Sequence, residues 1–168
     1  MRDPRFVRAV VLVCEHGEDG AMGLIVNKPA VDVSFEEIAE QLDISMGPSG
    51  GARVHVGGPV ETERGFLLHA GPPRRGGQAV TAEVAMCATV DLLRVVAGGR
   101  GPAPCLLMLG YAGWGPGQLE DELTEDGWIT APSSAELIFS GEPSEIWPRA
   151  VQGLGAEPGM LSGVSGQA

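Results

Sequence analysis

Cys14, Glu15 and His16 stand side by side. A thiol beside an imidazole invites a nucleophile, and a carboxylate beside an imidazole invites proton transfer. On a regular strand Cys14 and His16 share one face and Glu15 takes the other, so the same string also suits a strand end turned to water. Asn27-Lys28-Pro29 closes the next apolar run, and Lys28 is the only lysine of the chain. It is a candidate anion contact, although no G-x-x-x-x-G-K-[ST] surrounds it. Arg64 and His69 are types that bind a carboxylate or phosphate. Five residues apart, they fall on opposite faces of a regular strand, so a joint site needs a bulge or a bend. Finally, Tyr111 and Trp114 lead into Gln118, Glu120 and Glu122. An indole with its single N–H serves as an anchor or as a pocket wall, and the anchor is the simpler reading.

Other chemistries leave no trace. His16, His55 and His69 sit on separate predicted strands or strand ends with no H-x-x-x-H or H-E-x-x-H, so no metal site is expected. There is no G-x-S-x-G elbow. The Gly57-Gly58-Pro59-Val60 string lacks G-x-G-x-x-G, and Pro59 removes a backbone donor, so it reads as a structural turn. The cysteines, Cys14, Cys87 and Cys105, are odd in number and widely spaced, as reduced core cysteines are. No cofactor is expected.

The elements that must position these residues follow from periodicity and punctuation. Phe6–Cys14 and Met22–Asn27 read as strands, joined by a polar turn longer than the minimal two residues. Ser34 opens a helix to Asp43, with Glu37 completing a capping box and Phe35, Ile38, Ala39 and Leu42 forming one apolar stripe. Arg53–Val56 and Gly65–Ala70 are strands, residues 71–77 a loop, and Ala79–Cys87 a weaker strand. Thr89 caps a helix ending at Gly98-Gly99. Pro104–Gly110 is a buried strand, and Tyr111–Gly115 a turn of glycine and aromatic residues. Pro116 begins a helix as its first residue, and Trp128–Ala131 is extended. Ala135–Phe139 and Ser144–Leu154 are helices, the second broken or starting late at Pro148. Residues 155–168 are predicted to be a poorly ordered tail.

The 168 residues include 26 glycines and 13 prolines, yet 43% are hydrophobic, which suits one globular domain over residues 1–168. The net charge is −11. Residues 101–168 hold Arg149 alone against nine acids. Arg2, Arg5 and Arg8 split over two faces of a straight strand, and no predicted helix carries a basic stripe. Direct nucleic-acid binding is therefore disfavoured, as is an anionic membrane surface. No apolar stretch approaches a membrane span, and the reduced cysteines fit the cytoplasm.

Asp3-Pro4-x-Phe6, CEHGEDGAMGLIVNKP at 14–29, GGPV at 57–60, RGFLLH at 64–69 and LGYAGWGPGQLEDEL at 109–123 together resemble the bacterial YqgE/AlgH family. Trp128 with Ala131-Pro132, and Trp147 with Ala150 and Gly155, extend the match over nearly the whole chain. The resemblance implies an α+β fold in which a bifurcated β-sheet forms a pseudo-barrel with flanking helices. One branch is labelled a transcriptional regulator of exopolysaccharide synthesis, and no enzymatic activity, cofactor or catalytic residue is agreed for the family. Motif matching points to Glu15, His16, Asn27, Lys28, Arg64, His69, Tyr111, Trp114, Gln118, Glu120 and Glu122 as a shared pocket or interaction site. Family members generally carry an extra apolar strand before Asp-Pro and often end Gly-His-Ala. This chain starts two residues before Asp3 and ends Gly166-Gln167-Ala168.

Three functions follow. The favoured one is a non-catalytic cytoplasmic regulatory or binding module, working through a protein partner or a small-molecule effector, with any effect on transcription indirect. The alternatives are a direct DNA-binding regulator and a hydrolase using His16 or His69.

Overall fold

The protein is described here by a computed structural model covering residues 4–155; of the predicted tail, residues 156–168 lie outside the described residues. Seven strands are built: β1 (Val11–Gly17), β2 (Gly20–Ile25), β3 (Arg53–Val56), β4 (Val60–Ala70), β5 (Gly77–Ala79), β6 (Val84–Cys87) and β7 (Cys105–Trp114). The helices are α1 (Phe35–Gln41), α2 (Val90–Ala97), α3 (Gln118–Thr124), α4 (Ala135–Phe139) and α5 (Pro143–Gln152). The sheet runs β1-β2-β7-β4-β6-β5 and curls into a half-barrel.

The fork in the sheet has a local cause. β2 pairs with β7 only over Ala21–Gly23 against Ala112–Trp114. Beyond that point the two strands part and β3 fills the gap, parallel to Leu106–Leu109 of β7. On its other side Val56 N–H donates to Lys28 C=O at 2.8 Å, and Ala30 N–H to Val54 C=O at 2.9 Å. At the crotch, Ile25 N–H reaches Gly57 C=O and Gly57 N–H reaches Leu109 C=O, both at 2.7 Å. A side chain on Gly57 would put its Cβ 2.3 Å from the Gly110 carbonyl oxygen, so the backbones meet here only because residue 57 has none. The Gly57-Gly58 turn is therefore structural.

Two layers cover the sheet. Inside the curl, Leu12, Leu24, Phe66, Leu68, Met86, Leu106 and Met108 pack with Ile138, Phe139 and Ile146, so α4 and α5 stop one end. Outside, Leu67 and Leu107 pack under α1 and α2 through Phe35, Ala39, Leu92, Leu93 and Val96. Side chains alternate along β7 as the strand period requires, and Gly110, at φ 70°, resets the alternation before Tyr111. Beyond it, Ala112 and Trp114 join Phe6, Ile25 and Leu119 in a third cluster.

Several predicted elements match in place: the Ser34–Glu37 capping box, the Thr89 cap and the Arg53–Val56 strand. Others differ. Phe6 belongs to a 3-10 turn, Pro4–Phe6, and β1 starts only at Val11, because Arg8 at φ 51° turns the chain. The first hairpin has a two-residue connection, Glu18-Asp19, not a longer loop. β4 starts five residues before Gly65, and the predicted Ala79–Cys87 strand is the two short strands β5 and β6. Tyr111–Trp114 is strand rather than turn, since it carries the whole pairing with β2. α3 begins at Gln118 with Gly117 as its N-cap, so Pro116 precedes the helix. α5 runs through Pro148 unbroken.

Candidate functional site

The β1–β2 register slips between Val13 and Glu15, so Cys14 is an extra residue in a bulge. The slip overturns the expected alternation. Cys14 packs on the inner core, Glu15 stands opposite Met22 on the same side, and His16 turns the other way to α3, against Glu120. Burial, with the Glu15 charge beside it, pushes the Cys14 thiol up to about 12, so it stays protonated and unreactive at neutral pH. The Glu120 carboxyl is held below its usual range by its own backbone N–H and by His16.

Three predicted residues hold α3 in place. Gly115 N–H donates to Gln118 Oε1 at 3.0 Å, and Gln118 Nε2 to Glu122 Oε1 at 2.9 Å. Trp114 Nε1–H and Trp128 Nε1–H both donate to Glu122 Oε2, at 3.0 and 2.7 Å. Partial burial pushes the Glu122 carboxyl up, but hydrogen bonds from Trp128, Gln118 and Trp114 outweigh it and hold it below its ordinary value. Trp128 also meets Phe6 and Trp114 edge-on, each at 5.8 Å. Trp114 is thus the anchor of the third cluster.

Asn27 and Lys28 fasten the segment before β1. Buried Asn27 accepts from Val10 N–H through Oδ1 and donates from Nδ2 to Arg8 C=O, both at 2.8 Å. Lys28 Nζ donates to Val7 C=O at 2.8 Å. The bound segment and α5 enclose an apolar cavity of about 190 Å³ lined by Phe6, Trp128, Leu137, Trp147 and Val151, with Arg8 over the Trp147 ring at 5.3 Å. His69 is fully buried on the outer side of β4, its Nδ1–H given to Ala70 C=O at 3.0 Å. His55, 1% exposed, gives its Nδ1–H to Val26 C=O at 2.9 Å, and burial lowers its pKa. The Nε2 atoms of both rings are buried without a partner.

Glu15, Arg64 and Tyr111 are brought together. They line a cavity of about 380 Å³ with Met22, Phe66, Gln78 and Met86, at the end of the half-barrel that α4 and α5 leave open. β1 and β5 are the two free edges of the sheet, and Gln78 Nε2 donates to Glu15 Oε1 across the seam at 2.8 Å. Arg64 comes from a wide bulge: Val60 faces Tyr111 and Gly65 faces Leu109, five residues on β4 against two on β7. Glu61 in that bulge has φ 45°. The Arg64 guanidinium lies 5.0 Å over the Phe66 ring and 3.4 Å from Glu61. The Glu61 carboxylate, accepting from the Tyr111 hydroxyl, pushes that phenol up. Gln78 was missed in the sequence, because a glutamine in a three-residue strand gives no signal of its cross-seam partner.

Among the described residues, no group of three or more His, Cys, Asp or Glu side chains could hold a metal ion. No helix among them is long and apolar enough to cross a membrane.

A forked, curled sheet with helices on both sides and a polar mouth defines a mixed helix-and-strand class. The chain belongs to the AlgH-like family, whose profile (DUF179) matches residues 1–159. A UPF0301 protein of Cereibacter sphaeroides is 47% identical over 171 residues, covering 100% of this chain and 93% of the relative. A UPF0301 protein of Paracoccus denitrificans is 46% identical over 173 residues, covering 100% of this chain and 91% of that protein. The solution structure of the AlgH protein from Pseudomonas aeruginosa superposes with a TM-score of 0.80 at 38% identity, over 96% of this chain and 87% of that one. Protein DIP2367 from Corynebacterium diphtheriae shares the fold, with a TM-score of 0.68 at 21% identity, over 90% and 80% of the two chains.

Proposed function

We propose that this protein is a non-catalytic cytoplasmic regulatory module that binds a small-molecule effector in the open mouth of the half-barrel and acts on transcription only indirectly, through a protein partner. The observation that carries this reading is the 380 Å³ cavity where Glu15, Arg64 and Tyr111 meet Gln78 at the seam. A cavity of this size in which a few polar groups converge is a common form of small-ligand site. The seam supplies the regulatory element: one side-chain hydrogen bond joins the two sheet edges, and a ligand lodged beside it changes how firmly they are held. The other motif residues have structural duties. Asn27 and Lys28 hold the first segment, and Trp114, Gln118 and Glu122 hold α3. The net charge of −11 opposes a direct encounter with phosphates.

The test is an amide chemical-shift titration of the 15N-labelled protein against a library of polar metabolites, run beside a mobility-shift assay on duplex DNA at low salt. Shifts confined to β1, β4, β5 and β7 with no DNA shift support the reading. A salt-sensitive DNA shift by the protein alone, or a library without hits at the mouth, overturns it. A hydrolase built on His16 has the His16–Glu120 contact in its favour. Turnover in a hydrolase screen that disappears in His16→Ala would establish it instead.

A further inference from the structure

Resting on that reading, we infer that the ligand class of the half-barrel mouth is a free α-amino acid with an apolar side chain. The charges at the rim set this class. Arg64 stands on one wall, from the β4 bulge, and Glu15 on another, from the β1 bulge. Bulges next to a site commonly re-aim a side chain, and here two of them present opposite charges to one cavity. Glu61 is committed to Arg64 and to the Tyr111 hydroxyl. With Glu61 balancing Arg64, a simple anion meets the extra carboxylate of Glu15, and a simple cation gains Glu15 but leaves the remaining Arg64 N–H groups unused. A zwitterion satisfies both walls at once.

The groups suit the two ends of an amino acid. Arg64 sits over the Phe66 ring and gives Nη1 to Glu61, which leaves its other N–H groups for a carboxylate. Glu15 gives one oxygen, Oε1, to Gln78; its other oxygen is the acceptor offered to an ammonium. Met22, Phe66 and Met86 lie beneath these groups as the apolar part of the lining. Methionine side chains adapt to different shapes, so this part suits a branched, thioether or aromatic side chain. The positive φ of Glu61, in a residue that is not glycine, marks local strain kept at the rim.

The experiment titrates the full chain with L-leucine, L-methionine and L-phenylalanine, and with two blocked analogues of each: the N-acetyl form, which lacks the ammonium, and the carboxamide, which lacks the carboxylate. Binding is read from amide shifts at the mouth. At least one free amino acid is expected to bind, and each block to weaken it about tenfold or more, because a charge-assisted contact is lost. Arg64→Met is expected to remove the preference for the free carboxylate, and Glu15→Gln the preference for the free ammonium. Blocked analogues that bind as well as the free amino acids overturn the inference but leave the mouth a ligand site. No shift with any of the three, while other library members do shift the mouth, also overturns it and leaves the proposed function standing. If no compound shifts the mouth at all, both readings fall together.

Discussion

Replacing Glu122 by Gln separates a structural carboxylate from a functional one. Its two oxygens take three side-chain N–H groups, from Trp114, Trp128 and Gln118. In Glu122→Gln one amide oxygen can still face both indoles, but an amide NH2 then meets the Gln118 NH2. Turning Gln118 over relieves that contact only by giving up the acceptor that Gly115 N–H uses. The substitution thus loses the charge on two bonds and leaves about one donor unmatched, an expected cost of about 1–3 kcal/mol. Glu122→Ala leaves three donors to find water and is expected to cost about 2–4 kcal/mol, because Trp114 is only 7% exposed. The pH dependence adds a signature. The Glu122 pKa is depressed in the fold, so its stabilising contribution is fully present above the unfolded value near 4.5 and is lost as pH falls through the folded value. The stability gap between wild type and Glu122→Gln should therefore be widest at neutral pH and narrow below about pH 4.5. Urea unfolding followed by far-ultraviolet circular dichroism from pH 3 to 7 measures it without relying on the indoles. Equal stability at pH 7, or a gap that does not narrow in acid, would refute the assignment.

Asn27→Ala removes partners from Val10 N–H and Arg8 C=O and should cost about 2–4 kcal/mol, while half-buried Lys28→Met should cost under about 1 kcal/mol; both are measured by urea unfolding. Gly57→Ala drives a Cβ against the Gly110 carbonyl and should cost at least about 3 kcal/mol or abolish soluble expression, whereas Gly17→Ala, with nothing within 4 Å, should stay within about 0.5 kcal/mol. Burial holds the His55 pKa below its unfolded value, so the unfolded chain takes up the proton first and stability falls as pH drops below about 6.5. A His55 variant that still folds, such as His55→Gln, should flatten that limb of the melting temperature against pH; an unchanged slope would place the titration elsewhere.

Local chemistry was legible from the sequence, and long-range chemistry was not. Ser34 and Glu37 announce α1 because both ends of the capping box lie within four residues. The late start of β1 depends on Arg8 at positive φ, held by Asn27 from 19 residues away, and no periodicity reports that. Tyr111–Trp114 carries the residues of a turn and becomes strand because β2 is there to pair with it. Regular alternation would put Cys14 and His16 on one face and Glu15 on the other, and one bulged residue sends Glu15 to the mouth and His16 to α3. The resemblance identified the motif residues, but only the fold distinguishes the ones that hold elements together from those that line a cavity.

β7 is the one strand that pairs in both arms of the fork, with β2 on one side and with β3 and β4 on the other. It is also the last strand made. Its first residue, Cys105, follows the start of β3 at Arg53 by 52 positions. At typical synthesis rates of about 5–20 residues per second, β3 waits roughly 3–10 s for its parallel neighbour. Until then the nascent chain holds two separate sheet pieces, the β1–β2 hairpin and the three strands β4-β6-β5, with edges and apolar faces that nothing closes. Assembly from the ribosome is therefore settled late and nearly all at once, when a single strand arrives and joins both halves.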